Sequence, residues 1–148
     1  MSDDAKTNAV GNLGFISDMD VRIWLRDNDP EANVLLDDYE FSTEEIRTAA
    51  TLAVDYWNET LPNVKSYELY DFPYRHALLQ GTSAKLLQMA AHRYRRNDLQ
   101  YQTGGGSVAD QNKYQQYDAA GAQLWQEYIQ WVAAKKRSIN IGFGWGSA

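Results

Sequence analysis

The stretch from Ser42 to Trp57 narrows most sharply what this chain can fold into. Ser42-Thr43-Glu44-Glu45 has the spacing of a capping box, with serine at the N-cap and glutamate three residues on. Phe41, just before it, is placed to staple onto Ile46. Ile46, Ala49, Ala50, Ala53, Val54 and Trp57 then recur at i, i+3, i+4, i+7, i+8 and i+11, an apolar stripe on a 3.6-residue period. Leu61-Pro62-Asn63 stops the pattern. A helix with one such face must bury it against other elements, so the rest of the chain has to supply them.

Three further segments read as helices. Ser17 is a good N-cap with Asp18 and Asp20 in the first turn, and this short helix carries Met19, Ile23 and Trp24 on one side before Asn28-Asp29-Pro30 ends it. From Pro73 to about Asn97, Ala77, Gly81, Ala84, Leu87, Ala91 and Tyr94 line one face, and the small residues let a neighbour approach closely. After the break Thr103-Gly104-Gly105-Gly106-Ser107, a last helix runs from Val108 or Ala109 to Lys136. Tyr117, Gly121, Leu124, Tyr128, Trp131 or Val132, and Lys135 share one of its sides. Lys135, Lys136 and Arg137 suit the negative end of the helix dipole. The expected fold is all-α: a small four-helix domain over residues 17–137 whose two long helices form an antiparallel hairpin. Residues 1–16, with Asn8, Gly11, Asn12 and Gly14, read as a flexible N-terminal arm.

Residues 138–148 read as an extended tail. Ile139, Ile141, Phe143 and Trp145 alternate with small or polar residues, the two-residue period of a strand, and Gly142, Gly144 and Gly146 leave the other side bare. Such a segment suits addition to a sheet or groove on another molecule. The alternative is a last strand tucked against the chain's own helices.

At 148 residues the chain suits one domain, and 44% apolar residues is a globular composition. Five Trp and ten Tyr favour interfaces. The absence of cysteine excludes disulfides, thiolate chemistry and Cys-based zinc sites. No apolar run approaches the roughly 18 residues of a membrane span. The acidic start, Met1-Ser2-Asp3-Asp4-Ala5-Lys6, lacks the pattern of a signal peptide, so a cytoplasm-like compartment is expected. The net charge of −6 hides a polarity: residues 1–60 hold 4 basic and 14 acidic side chains, and residues 61–148 hold 10 basic and 6 acidic. That suits head-to-tail or stacked association better than a grip on nucleic acid.

Catalytic chemistry finds little footing. His76 and His92 lie on one helix about 24 Å apart and cannot share a metal within a chain. Asp27-Asn28-Asp29-Pro30-Glu31, with Asp38 at the twelfth position, has oxygens in calcium-loop order. Ala32 stands where glycine is needed, and an acidic solvated loop explains the segment better. Gly104 to Gly106 lack the Lys of a phosphate loop. Lys85, Arg93, Arg95 and Arg96 could meet DNA phosphates or, more simply, acids of a neighbouring subunit. Neither a catalytic centre, a metal site nor a cofactor is expected, and the chain reads as a non-enzyme.

Two stretches together resemble the head-to-tail adaptor proteins of tailed-phage necks, also called connector or head-completion proteins. The first runs Val21-Arg22-Ile23-Trp24-Leu25-Arg26-Asp27, Asp29-Pro30-Glu31-Ala32-Asn33-Val34-Leu35-Leu36 and Glu40-Phe41-Ser42-Thr43-Glu44-Glu45-Ile46. It continues through Ala53-Val54-Asp55-Tyr56-Trp57-Asn58-Glu59 to Leu61-Pro62. The second runs Tyr94-Arg95-Arg96-Asn97-Asp98-Leu99-Gln100-Tyr101, Gly104-Gly105, Ser107-Val108-Ala109-Asp110 and Lys113, then Tyr117, Leu124 and Lys136 to Asn140. The resemblance covers most of residues 20–140.

It implies a virion structural protein, made in the host bacterial cytoplasm and built into the neck as a ring of about twelve copies. The ring would dock under the portal protein, hold the next neck or tail protein, and pass DNA through its lumen without sequence-specific binding. The terminal docking role would fall on Ile139, Ile141, Gly142, Phe143, Gly144 and Trp145. Candidate subunit contacts are Arg93, Arg95, Arg96, Tyr117 and Trp131. The rival expectation is a soluble helical scaffolding or regulatory protein that binds one partner through the same tail.

Overall fold

The structure, a computed structural model, describes residues 12–26, 40–101 and 108–146, with side chains for 12–26, 40–96 and 114–142. Four α-helices make the fold: α1 (Asp18–Leu25), α2 (Thr43–Glu59), α3 (Arg75–Tyr101) and α4 (Val108–Gly146), with a 3-10 turn at Leu69–Asp71. The fold is all-α, and no strand occurs among the described residues.

Both short-range start signals operate as the sequence predicts. The Ser17 hydroxyl accepts from the Asp20 N–H (3.2 Å), and the Asp20 carboxylate accepts from the Ser17 N–H (2.9 Å). Ser42 and Glu45 repeat the arrangement at 3.1 and 3.3 Å. Each box satisfies two backbone donors that a helix start leaves without partners. Every member of the α2 stripe, Ile46 to Trp57, is buried. α1 closes at Arg26, whose left-handed backbone (φ 62°) turns its N–H back to the Arg22 and Ile23 carbonyls.

α3 and α4 form the expected antiparallel hairpin. Tyr94 stacks on Tyr117, Gly121 lies against Ala84 and Gln88, Gly81 meets the Tyr128 ring, and Tyr74 meets Trp131. Partners thus advance along α3 as they recede along α4. α2 lies across α3, and its Trp57 is the centre of the core. Phe72, Tyr67, Tyr74 and Trp131 surround that indole at centroid distances of 5.3 to 6.1 Å. Its Nε1–H donates to the Lys65 carbonyl at 2.8 Å. Asn58 fixes the same return segment, donating to the Tyr67 carbonyl and accepting from its N–H.

Two expectations are corrected. Residues 138–146 are not extended: α4 continues through them to Gly146, and residues 147–148 lie outside the described residues. Val132, Lys136 and Ile139 carry the buried stripe of α4 onward at i, i+4 and i+7. Propagating a packed helix needs no new nucleus, and this outweighs the poor helix preference of the glycines. The second correction concerns residues 12–16, read as part of a flexible arm. Leu13 and Ile16 are buried in the core, and the Leu13 N–H donates to the Ile16 carbonyl at 3.0 Å. Gly14 makes this bend (φ 89°), and a Cβ there would stand 2.6 Å from the Tyr70 carbonyl oxygen. Residues 1–11, the candidate calcium loop up to Asp38, and Thr103 to Ser107 lie outside the described residues.

Candidate interaction surfaces

The basic run on α3 serves the chain's own fold first. Arg93 donates to the Glu40 carbonyl (3.0 Å) and to the Glu45 carboxylate (2.8 Å). Tyr94 and Tyr117 both donate to the Glu40 carboxylate, at 2.9 and 3.4 Å. Residues 40–45, at the start of α2, are thereby tied to the hairpin. Burial and the bond to Glu40 push the Tyr94 phenol well above its ordinary range. Arg95 lies 5.9 Å over the Tyr114 ring, and Arg96 is exposed. Lys85 sits 3.8 Å over the Trp125 ring, and burial pulls its ammonium below the usual lysine range. Trp131 belongs to the aromatic core, against Trp57, Tyr74 and Tyr128. Of the five candidate subunit contacts, Arg93, Arg95, Tyr117 and Trp131 therefore make intramolecular contacts. Arg95 and Arg96 stand at the far end of α3 from Trp131.

The end of α4 divides at Ile139. Up to that point the helix is docked. Lys136 is buried, donates to the Thr60 carbonyl at the C-cap of α2, and lies 5.1 Å over the Trp57 ring. A cation at a helix C-terminus answers the carbonyls left open there, while burial lowers its pKa. Ile139 is partly buried against the core. Beyond it Ile141 is 50% exposed, and a Cβ added at Gly142 would meet nothing within 4 Å. Phe143, Gly144 and Trp145 follow on helical backbone. The candidate docking residues thus begin on the domain at Ile139 and reach open space by Gly142.

Two features were not read from the sequence. One is the aromatic cluster around Trp57, whose members come from three separate segments. The other is an open groove of about 250 Å³ at the start of α3, lined by Tyr74, Arg75, His76, Ala77 and Trp131. Trp24 of α1 meets His76 edge-on beside it, at 5.9 Å. Among the described residues no three His, Asp or Glu side chains gather as a metal site, and no helix is long and apolar enough to cross a membrane. No family model, no curated protein and no solved structure matches this chain.

Proposed function

We propose that this chain is a virion structural protein of a tailed phage, an adaptor whose copies form a ring under the portal and join the head to the neck or tail. Its work is assembly, without turnover, and the ring leaves a channel for DNA. The neck-protein pattern across most of residues 20–140 supports this reading. So does the observation that carries it, the free end of α4. Ile141 is half-exposed, and Phe143 and Trp145 continue the apolar sequence after it, a composition suited to cover by another surface.

Because the segment is helical, docking takes the form of a helix laid in a groove rather than a strand added to a sheet. Gly142, Gly144 and Gly146 each cost this helix about 1 kcal/mol relative to alanine. The free end is therefore marginal, and the portal surface completes its order. The domain needs Lys136 and Ile139, so the dispensable part starts at Ile141. A chain ending at Asn140 should keep its far-UV circular dichroism nearly unchanged and lose portal binding in co-sedimentation. Equal portal binding by the shortened and full chains refutes the docking role.

A further inference from the structure

α1 faces the wrong way for a helix that only serves its own core. Its inner side holds Val21 and Arg22, an arginine only 4% exposed that pairs with Asp18 at 3.7 Å. Its outer side holds the larger apolar groups. Met19 is 43% exposed, Ile23 51% and Trp24 48%, and Phe15, in the bend just before, is 52% exposed. Four half-exposed side chains of this size present roughly 400 Å² of apolar surface. That lies within the range of the largest patches on monomers, which are often functional, and is about half of one partner's share in a standard interface.

We propose that this face is one half of a heterologous contact between copies of the chain, the other half being the outer face of α4 on the next copy. Charge selects a second copy in that orientation. Asp20 stands on the α1 face between Ile23 and Trp24, whereas Asp18 is held on the inner side by Arg22 and Thr43, and the first 60 residues carry 14 acids against 4 basic groups. Two α1 faces brought together would oppose acid with acid. The hairpin half is net basic, and the exposed Arg137 stands in line with Gln126 and Gln130 on α4, placed to meet that acid.

The receiving face is also unusual by its lack of charge. Between Ala119 and Ala134, Glu127 is the single charged residue, and it accepts from the Gln80 amide at 2.6 Å. Ala119, Gln123, Gln126 and Gln130, at steps of four, three and four, are all exposed. That spacing gives a helix one continuous seam. Ordinary surfaces intersperse charges, whereas interface cores are depleted of them. Since donor and acceptor are different faces, each bound pair leaves one of each open, and such contacts close as rings or grow as filaments. The contact rests on the ring reading in requiring copies to meet head to tail.

The chain has no cysteine, so single-cysteine variants report contacts without background. Ile23→Cys and Gln126→Cys chains are mixed in equal amounts with portal, oxidised mildly, and separated without reductant. The mixed disulfide should exceed the Ile23→Cys like pair, and a control mixture of Gln126→Cys with Thr48→Cys, by about tenfold. A like pair through position 23 as abundant as the mixed pair overturns the contact, as does a mixed pair no stronger than the control. Portal binding is measured on the same samples. Binding retained without the mixed pair refutes this contact alone, and an unmodified full chain that does not bind portal refutes the neck reading instead.

Discussion

Gly81→Ala sets two effects of known sign against each other at one position. In a helix interior alanine is better than glycine by about 1 kcal/mol. The added methyl, however, would lie 3.0 Å from the Ala53 Cβ and 3.1 Å from two ring carbons of Tyr128. Carbon atoms prefer roughly 3.5 to 4.0 Å, so a neighbour must retreat by about half an ångström. Neither can do so easily. Ala53 belongs to the backbone-rigid middle of α2, and the Tyr128 ring is pinned by its hydroxyl on the Ala53 carbonyl and by contact with Tyr56, Trp125 and Trp131. Overpacking of this kind costs about 1–3 kcal/mol. The expected balance is a net loss of about 1 kcal/mol, or about 2–4 °C in Tm for a domain of this size. Gly142→Ala is the matched control, since its methyl meets nothing within 4 Å and should raise helicity without loss of stability. Urea unfolding followed at 222 nm reads both. If Gly81→Ala is as stable as the parent or more so, the close approach of α2, α3 and Tyr128 is wrong.

Ser42→Ala removes a capping-box acceptor and should cost about 1 kcal/mol in urea unfolding. Tyr128→Phe removes the buried bond to the Ala53 carbonyl and should cost about 1 kcal/mol at neutral pH. The same variant tests the pH response. Burial raises the Tyr128 phenol above its unfolded value of 10.0, so above pH 10.0 the unfolded chain releases a proton that the folded chain keeps, and stability falls. Lys85 and Lys136 act with opposite sign. Their folded values lie below 10.5, so stability rises with pH from those values up to 10.5. Tm of Tyr128→Phe should therefore fall less steeply above pH 10.0 than that of the parent, and parallel falls would contradict the buried phenol.

Local signals carried much of the fold in the sequence. The Ser17 N-cap, the Ser42 capping box and the Ile46 to Trp57 stripe depend on near neighbours, and small residues at Gly81, Ala84 and Gly121 mark the close hairpin. Contacts over long separations were not legible. Arg93 looked like a free cation because nothing local shows that Glu45, 48 residues earlier, lies beside it. The glycines misled twice. Gly14 suggested slack, but it serves a tight approach to the Tyr70 backbone. Gly142 to Gly146 suggested a strand, but α4 runs through them because its preceding turns are held by Lys136 and Ile139. For α1 the pattern was visible and its direction was not. Met19, Ile23 and Trp24 share a side, yet periodicity alone does not distinguish a face that meets the core from one that meets another molecule.

Electron micrographs of the full chain mixed with the portal protein that the adaptor reading assigns to it test the central claim most directly. The adaptor reading expects a second ring stacked on the portal and coaxial with it, present with the full chain and missing when the chain ends at Asn140. Portal rings that stay bare with the full chain present in excess would contradict it.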